Sequence, residues 1–251
     1  PPLETAQYLE THNVSLVRYG DSEVLLARGQ SETFQYASPE LASSLTRIFQ
    51  SDMVAVALCD TFSGFPSMRQ DQTDWWLDEQ GAYRRWVLDH VNFSKQYFSA
   101  IISSSFARNW NTNCALLSEI YRTLRRIWEG RDIVLLRGDN NQTYIFDIYD
   151  NARTQTIILA PRYHAYSVYQ KLKDKLLAHG SDKLFILTAG PVSRLLAYDL
   201  AMSGRRALDL GHLAKDYDYY MRGVNPDNFH FYERDETPPA YVEPYPDGDS
   251  F

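Results

Sequence analysis

Short runs of apolar, often β-branched residues recur along the chain: SLVRY at 15–19, MVAVAL at 53–58, AIISSS at 100–105, DIVLL at 132–136, TIILA at 156–160, KLFILTA at 183–189 and RALDLG at 206–211. Each reads as a strand. Stretches with helical spacing separate many of them. SPELASSLTRIFQ opens on a Ser-Pro start, NCALLSEIYRTLRRIWEG closes on Gly130, and YHAYSVYQKLKDKLLAHG closes on Gly180; a glycine there is a normal helix stop. Strands alternating with helices predict an α/β protein with a Rossmann-like, mostly parallel sheet flanked by helices. In such folds ligands bind beyond the carboxyl ends of the strands. Three strand ends therefore matter: Gly20-Asp21, Gly190-Pro191 and Gly211-His212.

The 251 residues suffice for one large α/β domain, expected over residues 1–235. The segment from Ser67 to Phe98 is aromatic and charged and predicts a helical insertion leaning over the site, its rings suiting either a flat or amphipathic ligand or the packing of a core. Residues 236–251 are rich in proline and acid and predict an extended tail. A net charge of −7 argues against a nucleic-acid groove, which needs a concentrated basic face. It leaves room for a nucleotide, whose two phosphates can be met by a metal ion and helix N-termini. Cys59 and Cys114 make neither a four-ligand zinc site nor a disulfide framework, and a reducing cytoplasm is the expected location. No apolar run reaches the length of a membrane span, and no signal peptide is visible.

Three stretches hold candidate chemistry. LTAGPVSRLLAYDLAMSG reads as strand, tight Gly-Pro turn and helix; Gly190 permits close backbone approach, free N–H groups face an anion, and Ser193 and Arg194 add donors. Most α/β units contain a turn of this kind, so the turn alone is a weak signal. ALDLGHLAKDYDYY places Asp209, His212, Asp216 and Asp218 at another strand end, a set suited to metal coordination or general-base work, although a lone histidine is more often structural. In VRYGDSE, Asp21 and Glu23 are either a helix cap with a solvated acid or ligands for a hard cation, Mn²⁺ or Mg²⁺. The chain has no P-loop, no G-x-G-x-x-G, no H-E-x-x-H and no G-x-S-x-G elbow.

Taken together, VRYGDSE, WEGRDIVLLRGDN, LTAGPVSRLLAYDLAMSGRRALDLGHL and DYDYY resemble the bacterial glycosyltransferases of the GT-D fold, over about Ser15 to Tyr220. The resemblance implies a metal-dependent enzyme that moves a hexose from a UDP-sugar to an oligosaccharide, lipid-linked or glycoprotein acceptor in polysaccharide or glycoprotein synthesis. A non-catalytic sugar-nucleotide or glycan-binding subunit is the alternative. The family pattern assigns Asp21, Glu23 and His212 to the metal. It assigns Asp209, His212 and Asp216 to catalysis, and Arg18, Gly20, Gly190, Ser193 and Arg194 to the donor. Val192-Ser193 departs from the family's small pair after Gly-Pro, Ala214 stands where relatives often carry aspartate, and Asp216 and Asp218 stand where they often carry glutamate. Self-association and peripheral membrane contact stay open at this stage.

Overall fold

The computed structural model describes residues 1–59, 74, 77, 81–108, 114–139 and 144–224. The strands are β1 (Leu16–Tyr19), β2 (Ala55–Leu58), β3 (Phe98–Ser99), β4 (Asp132–Gly138), β5 (Thr154–Ala160), β6 (Leu184–Thr188) and β7 (Arg206–Asp209). They form one seven-stranded sheet in the order β3-β2-β1-β7-β6-β4-β5, and every pairing is parallel. The inner strands are buried along nearly their whole length, as the apolar runs require when helices cover both faces.

The helices are α1 (Pro2–Thr11), α2 (Asp21–Ala27), α3 (Pro39–Gln50), α4 (Gly81–His90), α5 (Cys114–Trp128), α6 (Tyr169–Leu177), α7 (Val192–Met202) and α8 (Leu213–Met221), with a single helical turn at Ser105–Arg108. Helix α3 starts where its sequence says it should: Ser38 Oγ accepts from Leu41 N–H at 3.2 Å and Pro39 follows. The helices fall into two packed groups. One holds α2, α3, α4, α6 and α7; the other holds α1, α5, α8 and the helical turn.

The chain runs β1 to β2 to β3 toward one edge, then crosses to build the other half and returns to lay β7 beside β1. The order thus reverses at β1/β7, the kind of switch point at which a crevice opens. The β1–β7 ladder registers through Leu16 and Leu208 alone. Above it the Asp209 carboxylate, rather than a strand carbonyl, receives Arg18 N–H at 3.3 Å.

Two sequence expectations differ from the fold. AIISSS is not a strand: β3 ends at Ser99 and Ala100–Ser103 form a 3₁₀ turn. Its serines satisfy the backbone locally, Ser103 Oγ donating to Ala100 O at 3.2 Å and Ser105 Oγ to Ile101 O at 3.1 Å, which competes with a ladder. The aromatic segment contributes α4, but that helix faces inward. Trp86 is buried against Phe49 and Tyr19, and Tyr83 Oη donates to Tyr19 O at 3.1 Å while accepting from Cys59 N–H at 3.2 Å. The described rings of α4 therefore pack the core; most of 60–80 and the whole of 236–251 lie outside the described residues. Among the described residues no helix is long and apolar enough to cross a membrane.

Candidate active site

Three glycines end strands at the same side of the sheet. Gly20 follows β1, Gly190 follows β6 with φ +65°, and Gly211 follows β7 with φ +42°. All three line one cleft of about 700 Å³, together with Arg18, Asp21, Glu23, Glu32, Phe34, Tyr149, Arg194 and His212. That volume suits a nucleotide-sized ligand.

Under the cleft lies a buried network of two arginines and two carboxylates. Arg194, 5% exposed, projects from the first turn of α7. Its Nε donates to Arg18 O at 2.7 Å and lies 3.1 Å from Asp209 Oδ2, one amino group donates to Gly190 O at 2.8 Å, and the other pairs with Glu23 Oε1 at 3.0 Å. Arg18 pairs with Asp209 Oδ1 at 3.4 Å and donates to Ser103 Oγ at 2.7 Å. Glu23 completes the link by reaching back to Gly20 N–H at 2.8 Å, the carboxylate half of a capping box. Burial pushes the Glu23 carboxyl above its ordinary range, against the opposing pull of Arg194, Gly20 N–H and Arg18. Two positive and two negative groups packed together compensate charges that none could carry alone in this interior.

Gly211 is shaped by the same network. A Cβ there would sit 1.9 Å from an Arg18 guanidinium nitrogen, and its positive φ is strained for any L side chain. Gly211→Ala is therefore expected to displace Arg18 and cost about 2 kcal/mol of stability, measured by urea unfolding.

The predicted site residues separate into two groups. Asp21, Glu23, His212, Gly20, Gly190, Arg18 and Arg194 line the cleft, and Asp209, Asp216 and Ser193 are not among its lining residues. The described residues place no donor on the Asp21 carboxylate, and Asp21 is half-buried where Glu23 is buried. Glu23, by contrast, has both oxygens engaged inside the network, which makes it a positioning group rather than a ready metal ligand. Asp209 is fully buried between two arginines, an arrangement that leaves it no path to a substrate proton. Asp216, expected to be catalytic, is also fully buried, and its carboxylate accepts from Phe106 N–H, Ala107 N–H and Tyr121 Oη at 3.0, 2.9 and 2.6 Å. It clamps the helical turn after the 3₁₀ segment. Asp218 does the same for a second loop, accepting from Ile145 and Phe146 N–H at 2.9 and 3.0 Å. Ser193, expected to face the donor, is buried and accepts from Ala189 N–H at 2.9 Å, so it shapes the Gly190 turn from behind.

Among the described residues no three acidic, histidine or cysteine side chains stand together as a cation cage. Asp21 and His212 do border one cleft, and a hard cation bound with a diphosphate commonly takes only one or two carboxylates from the protein. The donor set therefore fits a cation that the ligand's own oxygens help to hold. Glu32, a cleft acid in the polar loop after α2, is invisible to sequence reasoning, because nothing in GQSETFQ distinguishes it from a solvated turn.

A cleft at the carboxyl edge of a parallel sheet, with a Gly-Pro turn, a helix N-terminus and an unpaired carboxylate at its rim, is the place where open α/β folds bind their ligands. More closely, the family model for the glycosyltransferase GT-D fold matches residues 16–229, and the chain belongs to that family. It is 25% identical over 228 residues to the probable glycosyl transferase Gly of Streptococcus gordonii, covering 88% of this chain and 33% of that one. It is 27% identical over 226 residues to the glycosyltransferase GlyD of Streptococcus pneumoniae, covering 88% of this chain and 27% of that one. The chain thus spans about a third or less of the length of these relatives. Among solved structures it is similar to a glycosyltransferase (DUF1792) from Streptococcus sanguinis, at 27% identity and a TM-score of 0.82 over 89% of this chain and 84% of that one. A second, described as domain of unknown function 1792 with a distinct glycosyltransferase fold, superposes with a TM-score of 0.83 at 25% identity, over 89% and 81% of the two chains.

Proposed function

We propose that this glycosyltransferase moves a hexose from a UDP-sugar to a hydroxyl of an oligosaccharide, lipid-linked or glycoprotein acceptor, with Mn²⁺ or Mg²⁺ as cofactor, in the cytoplasm. The observation that carries the reading is the meeting of the Asp21 carboxylate with the Gly190-Pro191 turn in one cleft of nucleotide-sugar size. The UDP-hexose itself follows from the resemblance of the D-x-E and GP…LAYDL…LDLGH stretches to the family.

In this reading Asp21 and His212 hold the cation, which when bound neutralises charge on the departing diphosphate. The Gly190 turn presents its backbone and the α7 N-terminus to the phosphates. Arg18, Gly20 and Arg194 act at the donor end: Arg18 borders the cleft directly, while Arg194 fixes the Gly190 carbonyl and the Glu23 carboxylate that frame it. Asp216 and Asp218 contribute by holding loops rather than by moving protons.

A binding subunit without turnover is the second reading, favoured by one feature: Glu23 of the D-x-E is committed to Arg194. Incubation with a panel of UDP-sugars and oligosaccharide acceptors, followed by mass spectrometry with Mn²⁺ and EDTA arms, separates the two. The expected outcome is transfer from one or two UDP-hexoses, abolished by EDTA. UDP binding with no turnover of any sugar would select the binding subunit instead.

A further inference from the structure

The loop after α2 carries an acid held in a fixed position inside the cleft. Glu32 and Gln35 form an isolated antiparallel bridge, their N–H and C=O groups exchanging bonds at 3.0 and 3.3 Å. Ser31 Oγ accepts from Ala37 N–H at 3.0 Å, closing the turn. A second loop clasps it from outside: His164 N–H donates to Phe34 O at 2.7 Å, Tyr36 N–H to His164 Nδ1 at 3.1 Å, and Tyr166 N–H to Gln35 Oε1 at 3.1 Å. Two ring stacks reinforce the clasp, Phe34 on Tyr163 at 5.4 Å and Tyr36 on His164 at 3.8 Å. His164 sits in the left-handed region with φ 52°, a conformation that such tight docking has to impose.

Within this turn Glu32 Oε2 accepts from Phe34 N–H at 3.0 Å. Its other oxygen, Oε1, is buried and meets no donor among the described residues. A buried acceptor without a donor is unfavourable and calls for an explanation, and here the carboxylate borders the ligand cleft. Of the other acids near the site, Asp21 is the one the proposed function gives to the cation, and the rest are occupied. Glu23 and Asp209 are in ion pairs, Asp216 carries three donors, and Asp147 accepts from Tyr149 N–H and Gln155 Nε2.

We propose that Glu32 is the catalytic base, its unpartnered Oε1 receiving the proton of the attacking acceptor hydroxyl. The inference rests on the glycosyl-transfer reading of this cleft. The acceptor oxygen forms its bond to the anomeric carbon as the bond from that carbon to the diphosphate breaks. The electron pair leaves with the diphosphate, and the hydroxyl proton passes to Glu32, which becomes a neutral carboxylic acid. Phe34, two residues on, lines the same cleft.

The surroundings suit the task. Burial lifts the Glu32 carboxyl to about 7, Phe34 N–H and Arg194 on α7 pull it down, and Glu23 and Asp21 on α2 push it up. His164, on the clasping loop, has its own affinity for a proton lowered by burial, and Arg162 also borders the cleft. A base whose affinity lies near the working pH is both ionised and strong.

The test uses the full chain with the best donor and acceptor from the UDP-sugar panel, comparing wild type, Glu32→Gln and Glu32→Ala. Both variants are expected to lose kcat by about 100-fold or more while UDP affinity, read by calorimetry, stays within about twofold. The acid limb of the wild-type kcat/KM profile, below about pH 7, should vanish in Glu32→Gln, and formate should restore part of the activity of Glu32→Ala. Glu32→Gln with kcat within about threefold of wild type and an unchanged pH profile overturns the base role, as does a loss of kcat matched by an equal loss of UDP affinity. Should Glu32→Gln fail to fold, formate rescue of Glu32→Ala and the pH profile of Glu32→Asp decide: no rescue and an unaltered profile reject the proposal. Wild type that turns over no UDP-sugar removes the donor reading and the base together, whereas active wild type with an equally active Glu32→Gln removes Glu32 alone.

Discussion

Replacing Arg194 by methionine is expected to destabilise the protein by about 3–5 kcal/mol, because breaking a buried ion pair from one side strands its partners. In a chain of this size that corresponds to a fall in melting temperature of about 10 °C, read by calorimetry or circular dichroism. Methionine keeps most of the side-chain volume, so the loss reports charge and hydrogen bonding rather than a cavity. The substitution leaves Glu23 facing only Gly20 N–H, takes one of two cationic partners from Asp209, and frees the carbonyls of Arg18 and Gly190. Because the Gly190 carbonyl belongs to the turn that frames the cleft, donor binding should fall with stability. The contrast is Arg153, paired with Asp132 at 2.6 Å but largely in water. Arg153→Met should leave the melting temperature within about 2 °C. A similar small change for Arg194→Met would mean that the four-group network does not hold the site together.

The second large effect separates the two acids of the D-x-E. Asp21→Asn is expected to reduce kcat/KM by about 100-fold or more with little change in stability, because it removes the carboxylate proposed to hold the cation and leaves the network untouched. Glu23→Gln should do the reverse in emphasis. Its carboxylate is 4% exposed and paired with Arg194, so the first loss is folding stability, by about 2–4 kcal/mol, and activity falls through the shifted Gly20 and Arg194. Steady-state kinetics and urea unfolding on the same two preparations give four numbers that must cross in this way. Equal kinetic loss with equal destabilisation in both variants would show that the two acids share one role.

Much of the scaffold was legible because its physics is local. Runs such as DIVLL and LFILT are apolar throughout, which a strand covered on both faces requires, and Ser38-Pro39 carries its own start signal for α3. The strand expected at AIISSS failed because serine side chains there bond the backbone within one turn, a choice that depends on Arg18 reaching Ser103 across 85 positions. The site shows the same division. Gly190, Gly211 and Asp21 stand out in sequence by their places at strand ends, and the fold brings all three to one cleft. Asp209 and Asp216 look like equally good acids in sequence; only packing reveals that one is sealed between arginines and the other beneath three donors. Ser193 was misplaced for a similar reason: its hydroxyl serves Ala189 N–H at the back of the turn. Glu32 left no mark because its environment is assembled from α2, α7 and the His164 loop, which meet only in the fold.

Titration of UDP into the protein by calorimetry addresses the main claim with least intervening assumption. With Mn²⁺ present, wild type should bind one UDP, and the affinity should weaken by about tenfold or more both in EDTA and in Asp21→Asn with Mn²⁺ restored. Equal affinity in all three conditions would contradict the proposal that Asp21 holds a cation at the donor site.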